Sequence, residues 1–133
     1  MIEPRPKIQL ILSPFDKIIE KIGWILLTFL WGFTFYAYFI LPEIIPTHFN
    51  IKGQVDAVGT KIFIFMFPVL GMVVFFGLTF VNQYPHIFNY PTSITVQNAE
   101  QQYRNATRLI RFLKLFIILI FSIITIVIYY KAM

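Results

Sequence analysis

The sequence predicts an all-α integral membrane protein whose chain crosses the bilayer three times, at about residues 22–40, 62–81 and 112–130. Of its 133 residues, 58% are hydrophobic and only 13% are charged, whereas about 25% of the residues of a soluble domain are charged. The mean hydropathy is +0.74. The apolar residues are concentrated in blocks, which is typical of spanning helices rather than of a soluble core. We expect residues 1–133 to form a single membrane domain.

A bilayer core of about 30 Å requires roughly 20 helical residues. The blocks without a charged residue are Ile22–Ile40, Ile62–Val81 and Leu115–Tyr130. The third is short, but Lys114 can extend its ammonium to the headgroups, so that Phe112 and Leu113 join the span. Each Leu, Ile, Phe or Val favours insertion by about 0.3–0.6 kcal/mol at the span centre. Nothing charged inside the blocks opposes this gain.

The first helix is predicted to begin at Pro14 and to run on through the first span. Ser13 suits the N-cap, Pro14 the first helical position, and Asp16 the positive end of the helix dipole. The opening turns place apolar side chains on one side and charged side chains mostly elsewhere. Residues 1–21 are therefore predicted to be a cytoplasmic tail with an amphipathic start that lies at the membrane surface.

The segment 82–111 is predicted to be a cytoplasmic loop followed by an extension of the third helix. We expect one long helix from about Val96 to Tyr130. Its extension carries a basic stripe on one helix face, which consists of Arg104, Arg108, Arg111 and Lys114. This stripe either faces solvent and anionic lipid phosphates or forms a docking face for an acidic partner.

The flanking positive charges predict the orientation. Four Lys or Arg residues precede the first span, two lie between the first and second, four precede the third and one follows it. Because cytoplasmic loops carry the excess of positive charge, we expect the N-terminus inside and the C-terminus outside. Residues 41–61 then form an outer loop.

The outer loop is predicted to be ordered. Two prolines restrict its start, Asn50 to Gly53 reads as a turn in which Gly53 takes a positive φ, and Thr60 suits the N-cap of the second span. Its polar residues His48, Asn50 and Asp56 either stabilise the loop or bind a ligand. In the structural role, His48 and Asn50 bond to the backbone, and Asp56 pairs with Lys52 or Lys61. One His and one Asp, even with Glu43, make a poor zinc site, so no metal or cofactor is predicted.

The loop carries a recognisable pattern: Leu-Pro, then Ile-Pro-x-His-Phe-Asn, then Gly, Asp, Gly and Lys directly before an apolar span. This pattern resembles the domain-of-unknown-function family sixteen-forty-eight, the N-terminal module of SdpI-type immunity membrane proteins that protect bacteria against a secreted toxin. The later segment from Phe88 to Lys114 also resembles small stand-alone members. The resemblance implies a bacterial cytoplasmic (inner) membrane location, and it makes a toxin-immunity-like role an alternative to another binding or regulatory role.

We therefore expect a non-enzymatic membrane protein with a binding or regulatory role that its outer loop performs. The alternative is an oligomeric transporter or channel subunit, although the three blocks Ile22–Ile40, Ile62–Val81 and Leu115–Tyr130 contain no charged residue. An intramembrane enzyme ranks last, because none of these blocks holds a His, Asp, Glu, Cys or Lys. The expected partners are the bilayer and its anionic headgroups, a peptide or envelope component, and a second copy of the chain, but not nucleic acid.

Overall fold

A computed structural model describes residues 4–133, and within that range the chain forms three long helices and one two-stranded sheet. The elements are α1 (Pro14–Ile40), β1 (Ile44–Phe49), β2 (Val55–Thr60), α2 (Met66–Val81) and α3 (Ala99–Ala132). Short 3₁₀ helices cover Lys61–Phe65 and Pro85–Ile87. All three long helical segments are long and apolar enough to cross a membrane.

The outward faces of the helices carry large apolar side chains that no other part of residues 4–133 covers. Examples on α1, α2 and α3 are Phe39, Val73 and Leu109, each well over half exposed. Contiguous exposed apolar surface of this extent is unfavourable in water and favourable against lipid tails. The predicted helices at 22–40, 62–81 and 112–130 are therefore found, each inside a longer helical segment.

The prediction of a purely all-α fold is wrong at the 41–61 loop, which forms an antiparallel hairpin. β1 pairs with β2 from Ile44 opposite Thr60 to Phe49 opposite Val55, with register shifts on both sides of His48. The strands are rich in β-branched and aromatic residues, which favour extended backbone. Gly53 has a φ of +77° in the connecting turn, as the sequence predicted.

The predicted helix starts are confirmed in part. Ser13 is the N-cap of α1, and its hydroxyl accepts a hydrogen bond from the Asp16 backbone N–H. Thr60 precedes the 3₁₀ segment but makes no side-chain capping bond. Pro68 lies in the first turn of α2, where a missing N–H costs nothing. The irregular backbone of this segment is the 3₁₀ helix Lys61–Phe65, which comes before Pro68 in the chain.

α1 and α3 are parallel neighbours, and α2 returns against both. At one end Asp16 of α1 contacts Arg108 of α3; at the other, Ala37 of α1 and Ile128 of α3 share one buried cluster with Leu41, Ile45, Ile64 and Phe67. A second cluster at mid-bundle holds Leu27, Leu30, Phe75 and Ile118. We call the end that carries the sheet the hairpin end and the end near Asp16 the ionic end.

Gly71 marks the closest approach of α2 to its neighbours. A Cβ at this position would lie 3.0 Å from Ile118 Cδ1, 3.2 Å from Phe121 Cδ2 and 3.5 Å from Leu30 Cδ2. Gly77, on the same helix, has no such atom within 4 Å. Of these two glycines, only Gly71 therefore lies at a close approach between helices within residues 4–133.

We expect Gly71→Val to destabilise the bundle by about 1–3 kcal/mol, because the added methyl groups have no room between α1 and α3. Gly77→Val is the matched control, since the same substitution on the same helix meets open space. Thermal unfolding of both purified proteins in one detergent compares them. Equal unfolding midpoints would show that the helices do not pack closely at Gly71.

Candidate functional site

The hairpin is anchored to the bundle through β1. Leu41, which follows α1, and Ile45 of β1 are buried in the cluster at the hairpin end. β2, in contrast, is exposed along almost its whole length. It pairs with β1 on one side only, so within the described chain its other edge has no strand partner.

Asn50 shapes the tip of the hairpin. Its Oδ1 accepts hydrogen bonds from the backbone N–H groups of Lys52 and Gln54, both at 2.9 Å, and its Nδ2 donates to Gln54 Oε1 at 3.0 Å. An Asx-type side chain that bonds to the following backbone is a common way to hold a turn. The predicted bonds from Asn50 to the backbone are confirmed.

His48 and Asp56 form a pair across the two strands. His48 Nδ1 lies 2.6 Å from Asp56 Oδ1, and both side chains are largely exposed. The expectation that Asp56 pairs with Lys52 or Lys61 is wrong, because Lys61 instead contacts Glu43 at 3.1 Å. The expected His48 bond to the backbone is replaced by this pair, since strand pairing brings the two side chains together. Whether His48, Asn50 and Asp56 bind a ligand stays a prediction.

The basic residues of α3 face α1 at the ionic end. Arg108 Nε and Nη2 donate to the two oxygens of Asp16, at 2.7 and 3.1 Å. Lys114 Nζ contacts both oxygens of Glu20, at 3.0 and 3.1 Å, and Thr79 Oγ1 of α2 at 2.9 Å. Arg111 Nε donates to the same Glu20, at 3.2 Å. We call Asp16, Glu20, Arg108, Arg111 and Lys114 the ionic cluster.

Burial separates the members of the ionic cluster from ordinary surface pairs. The side chains of Lys114 and Arg111 are only 2% and 9% exposed. The hydrogen bonds from Arg108 outweigh the cost of burial and lower the pKa of Asp16, which lies before the apolar span, to about 2. Asp16 is therefore ionised at neutral pH.

The ionic cluster corrects two expectations from the sequence. The amphipathic start of α1 turns Asp16 and Glu20 toward α3 rather than toward solvent, and Arg111 and Lys114 are buried rather than solvated. Lys114 consequently does not reach outward to the headgroups. The sequence did contain a signal for this pairing. The i, i+4 spacing of Asp16 and Glu20 places two acids on one face of α1, and the i, i+3 spacing of Arg108 and Arg111 places two bases on one face of α3.

Arg104 differs from the rest of the basic stripe because it holds the N-terminal tail. It pairs with Glu100 at 3.1 Å and donates from Nη1 to the Ile11 carbonyl at 3.0 Å. Tyr103 likewise donates to the Pro6 carbonyl at 2.8 Å. The tail thus lies across the ionic end, and contact of the stripe with lipid phosphate stays a prediction.

Neither region has the geometry of a metal centre. Within residues 4–133 no group of three or more His, Cys, Asp or Glu side chains is arranged to hold a metal ion. The ionic cluster has only two carboxylates, and cations already occupy both. The ionic end instead contains buried ion pairs, and the hairpin end presents an exposed strand edge.

We expect Glu20→Gln to destabilise the protein by about 3–5 kcal/mol, because it leaves two buried cations without their shared carboxylate. Glu100→Gln removes the same charge from a pair whose acid is mostly exposed, and should cost about 1 kcal/mol or less. Unfolding midpoints measured in one detergent distinguish the two variants. A Glu20→Gln protein as stable as Glu100→Gln would contradict the buried ionic cluster.

Comparison with known proteins places the best-matched segment around the hairpin. Residues 25–72, from within α1 to within α2, match the family model "Domain of unknown function (DUF1648)". An uncharacterized protein of Archaeoglobus fulgidus is 26% identical over 88 residues, which cover 60% of this chain. The chain spans about half of that relative, 48% of its length. No solved structure gives a significant match. The match over residues 25–72 thus confirms the resemblance to the domain of unknown function DUF1648 that the loop pattern indicated.

Proposed function

We propose that this chain is a non-enzymatic, multi-pass membrane protein whose hairpin recognises an extended peptide or envelope segment outside the cell. The observation that supports this most is the exposed β2 strand with an unpaired edge. An extended peptide adds to such an edge through main-chain hydrogen bonds. The resemblance to immunity modules favours a secreted toxin as the partner and a bacterial inner membrane as the location.

Anchoring makes the hairpin suitable for recognition. The buried side chains of Leu41 and Ile45 hold β1 on the helices, so little conformational entropy remains to be lost when a partner binds β2. The His48–Asp56 pair and the Asn50 turn hold the strands in register. In this proposal those three residues act by presenting the strand edge.

The proposed orientation places the hairpin outside and the ionic end in the cytosol. It rests on the excess of Lys and Arg before the first and third spans. Because three cations belong to the buried ionic cluster, fewer of them are free at the surface. Moving the charged residues of this cluster across the bilayer would still cost more free energy than keeping them on the cytosolic side.

An oligomeric transporter or channel subunit remains the second proposal. The observation in its favour is Lys114, an ionisable side chain that lies between helices against Glu20 and Thr79. Such groups often mark ion or proton paths in membranes. Against it, Leu30, Phe75 and Ile118 fill mid-bundle, so a path would have to run between copies of the chain.

The chain contains no cysteine, so single-cysteine variants can report its orientation. Ile51 at the hairpin tip and Val96 before α3 are both strongly exposed. We expect a membrane-impermeant maleimide to label Ile51→Cys in intact cells, and Val96→Cys only after permeabilisation. The opposite labelling pattern would invert the proposed orientation.

A photo-crosslinking amino acid at Val58 tests recognition by β2. The matched control is Val73 on the apolar face of α2, since the two positions are 64% and 62% exposed. We expect Val58 to give a peptide or protein adduct and Val73 to give lipid adducts. Ala57→Pro, which leaves β2 without one backbone donor, should reduce the Val58 adduct several-fold. Identical adducts from both sites in folded protein would exclude the hairpin as the recognition element.

A further inference from the structure

A pocket of about 350 Å³ lies beside the ionic cluster, between the N-terminal tail and the start of the 82–98 loop. Its polar lining consists of Gln9, Asn82, Gln83, Thr107 and Arg111, and the rest of the lining is apolar. Among residues 4–133, Arg111 is the one charged residue of this lining, and no carboxylate of that range lines the pocket. Two carboxylates lie in the neighbouring cluster.

Arg111 has donor capacity that the described part of the protein does not use. Its Nε donates to Glu20 and its Nη1 to Thr107 Oγ1 at 3.3 Å. Its Nη2 donates to no acceptor within residues 4–133, although the side chain is only 9% exposed. A guanidinium keeps its charge in proteins and offers paired donors that fit the oxygens of an oxyanion.

The charges of the ionic cluster do not balance where they are buried. Arg108 occupies both oxygens of Asp16, and the nearest approach of Arg111 to that carboxylate is 4.0 Å. Arg111 and Lys114 consequently share Glu20. Two buried cations with one carboxylate leave an excess positive charge, and a buried charge is unfavourable without a counter-ion.

We propose that this pocket binds a phosphate group, with Arg111 as its charged ligand. Gln9 and Gln83 also line the pocket, and their amides supply neutral donors for further phosphate oxygens. The pocket adjoins Asn82, where α2 ends, which is the level at which lipid phosphates lie if the apolar span is centred in the bilayer. The phosphate belongs either to an anionic lipid headgroup or to a soluble phosphate ester. The site is separate from the hairpin, so it does not depend on the proposed function.

The test measures the unfolding midpoint of the whole 133-residue chain, because a ligand that binds only the folded state raises that midpoint. The soluble probes are inorganic phosphate and glycerol 3-phosphate, each compared with sodium chloride at equal ionic strength. The lipid probe is a phosphatidylcholine nanodisc with or without phosphatidylglycerol. We expect at least one phosphate probe to raise the midpoint by roughly 3–8 °C.

Gln83→Glu places a negative charge in the pocket without removing a member of the ionic cluster. Gln97→Glu makes the same change at an exposed residue that does not line the pocket. We expect the phosphate effect to be lost in Gln83→Glu and retained in Gln97→Glu. A response to the soluble probes would identify a soluble phosphate, and a response to phosphatidylglycerol alone would identify a lipid. No response, an equal response to chloride, or equal responses in both variants would overturn the proposal.

Discussion

The shared carboxylate of Glu20 is the contact on which the arrangement of the helices depends. Lipid tails are as apolar as leucine, so the hydrophobic effect does little to select one arrangement of spanning helices over another. Glu20 of α1 accepts hydrogen bonds from Lys114 and Arg111 of α3, and Thr79 of α2 joins through Lys114. Shifting α3 by one residue along α1 would leave buried charges unpaired. The ionic cluster therefore selects the register more than it adds stability.

That register extends to the hairpin end through a continuous seam. The buried residues of α1 from Asp16 to Ala37, and those of α3 from Thr107 to Ile128, recur at intervals of three and four. Parallel helices with this spacing pack along one face, as in a coiled coil. Gly71 lets α2 approach that face. Ala37 and Ile128 then lie where Leu41 and Ile45 can be buried, so the anchoring of β1 depends on pairing at the opposite end.

The sequence predicted correctly those features that depend on residues close together in the chain. Block length and the absence of charge predicted the spanning helices, and Ser13, Pro14 and Gly53 predicted a helix start and a turn, because each effect acts within a few residues. The hairpin was missed because each strand is short and Pro46 interrupts the first. The ionic cluster was missed because its partners are 91 to 94 residues apart. The spacing of the charged residues shows that an acidic face of α1 and a basic face of α3 are complementary, but it does not show that the two helices are neighbours. The hydrogen bonds of Asn50 were predicted correctly because they reach only residues close in sequence. The partner of Asp56 was predicted wrongly because it depends on how the two strands pair.

The two ends of the bundle differ in how far their ion pairs are buried, and this difference separates their chemistry. At the hairpin end Glu43 pairs with Lys61 and Asp56 with His48, and none of these four residues is buried. Recognition there would depend on backbone hydrogen bonds and shape, which suit an extended peptide. At the ionic end the buried cations outnumber the carboxylate they share, beside a pocket lined with neutral amides. Electrostatics would dominate there and favour an anion, because burial strengthens the field of an unbalanced charge. One bundle can thus carry two binding surfaces of different chemistry, one at each end, while the packed seam between them holds both in place.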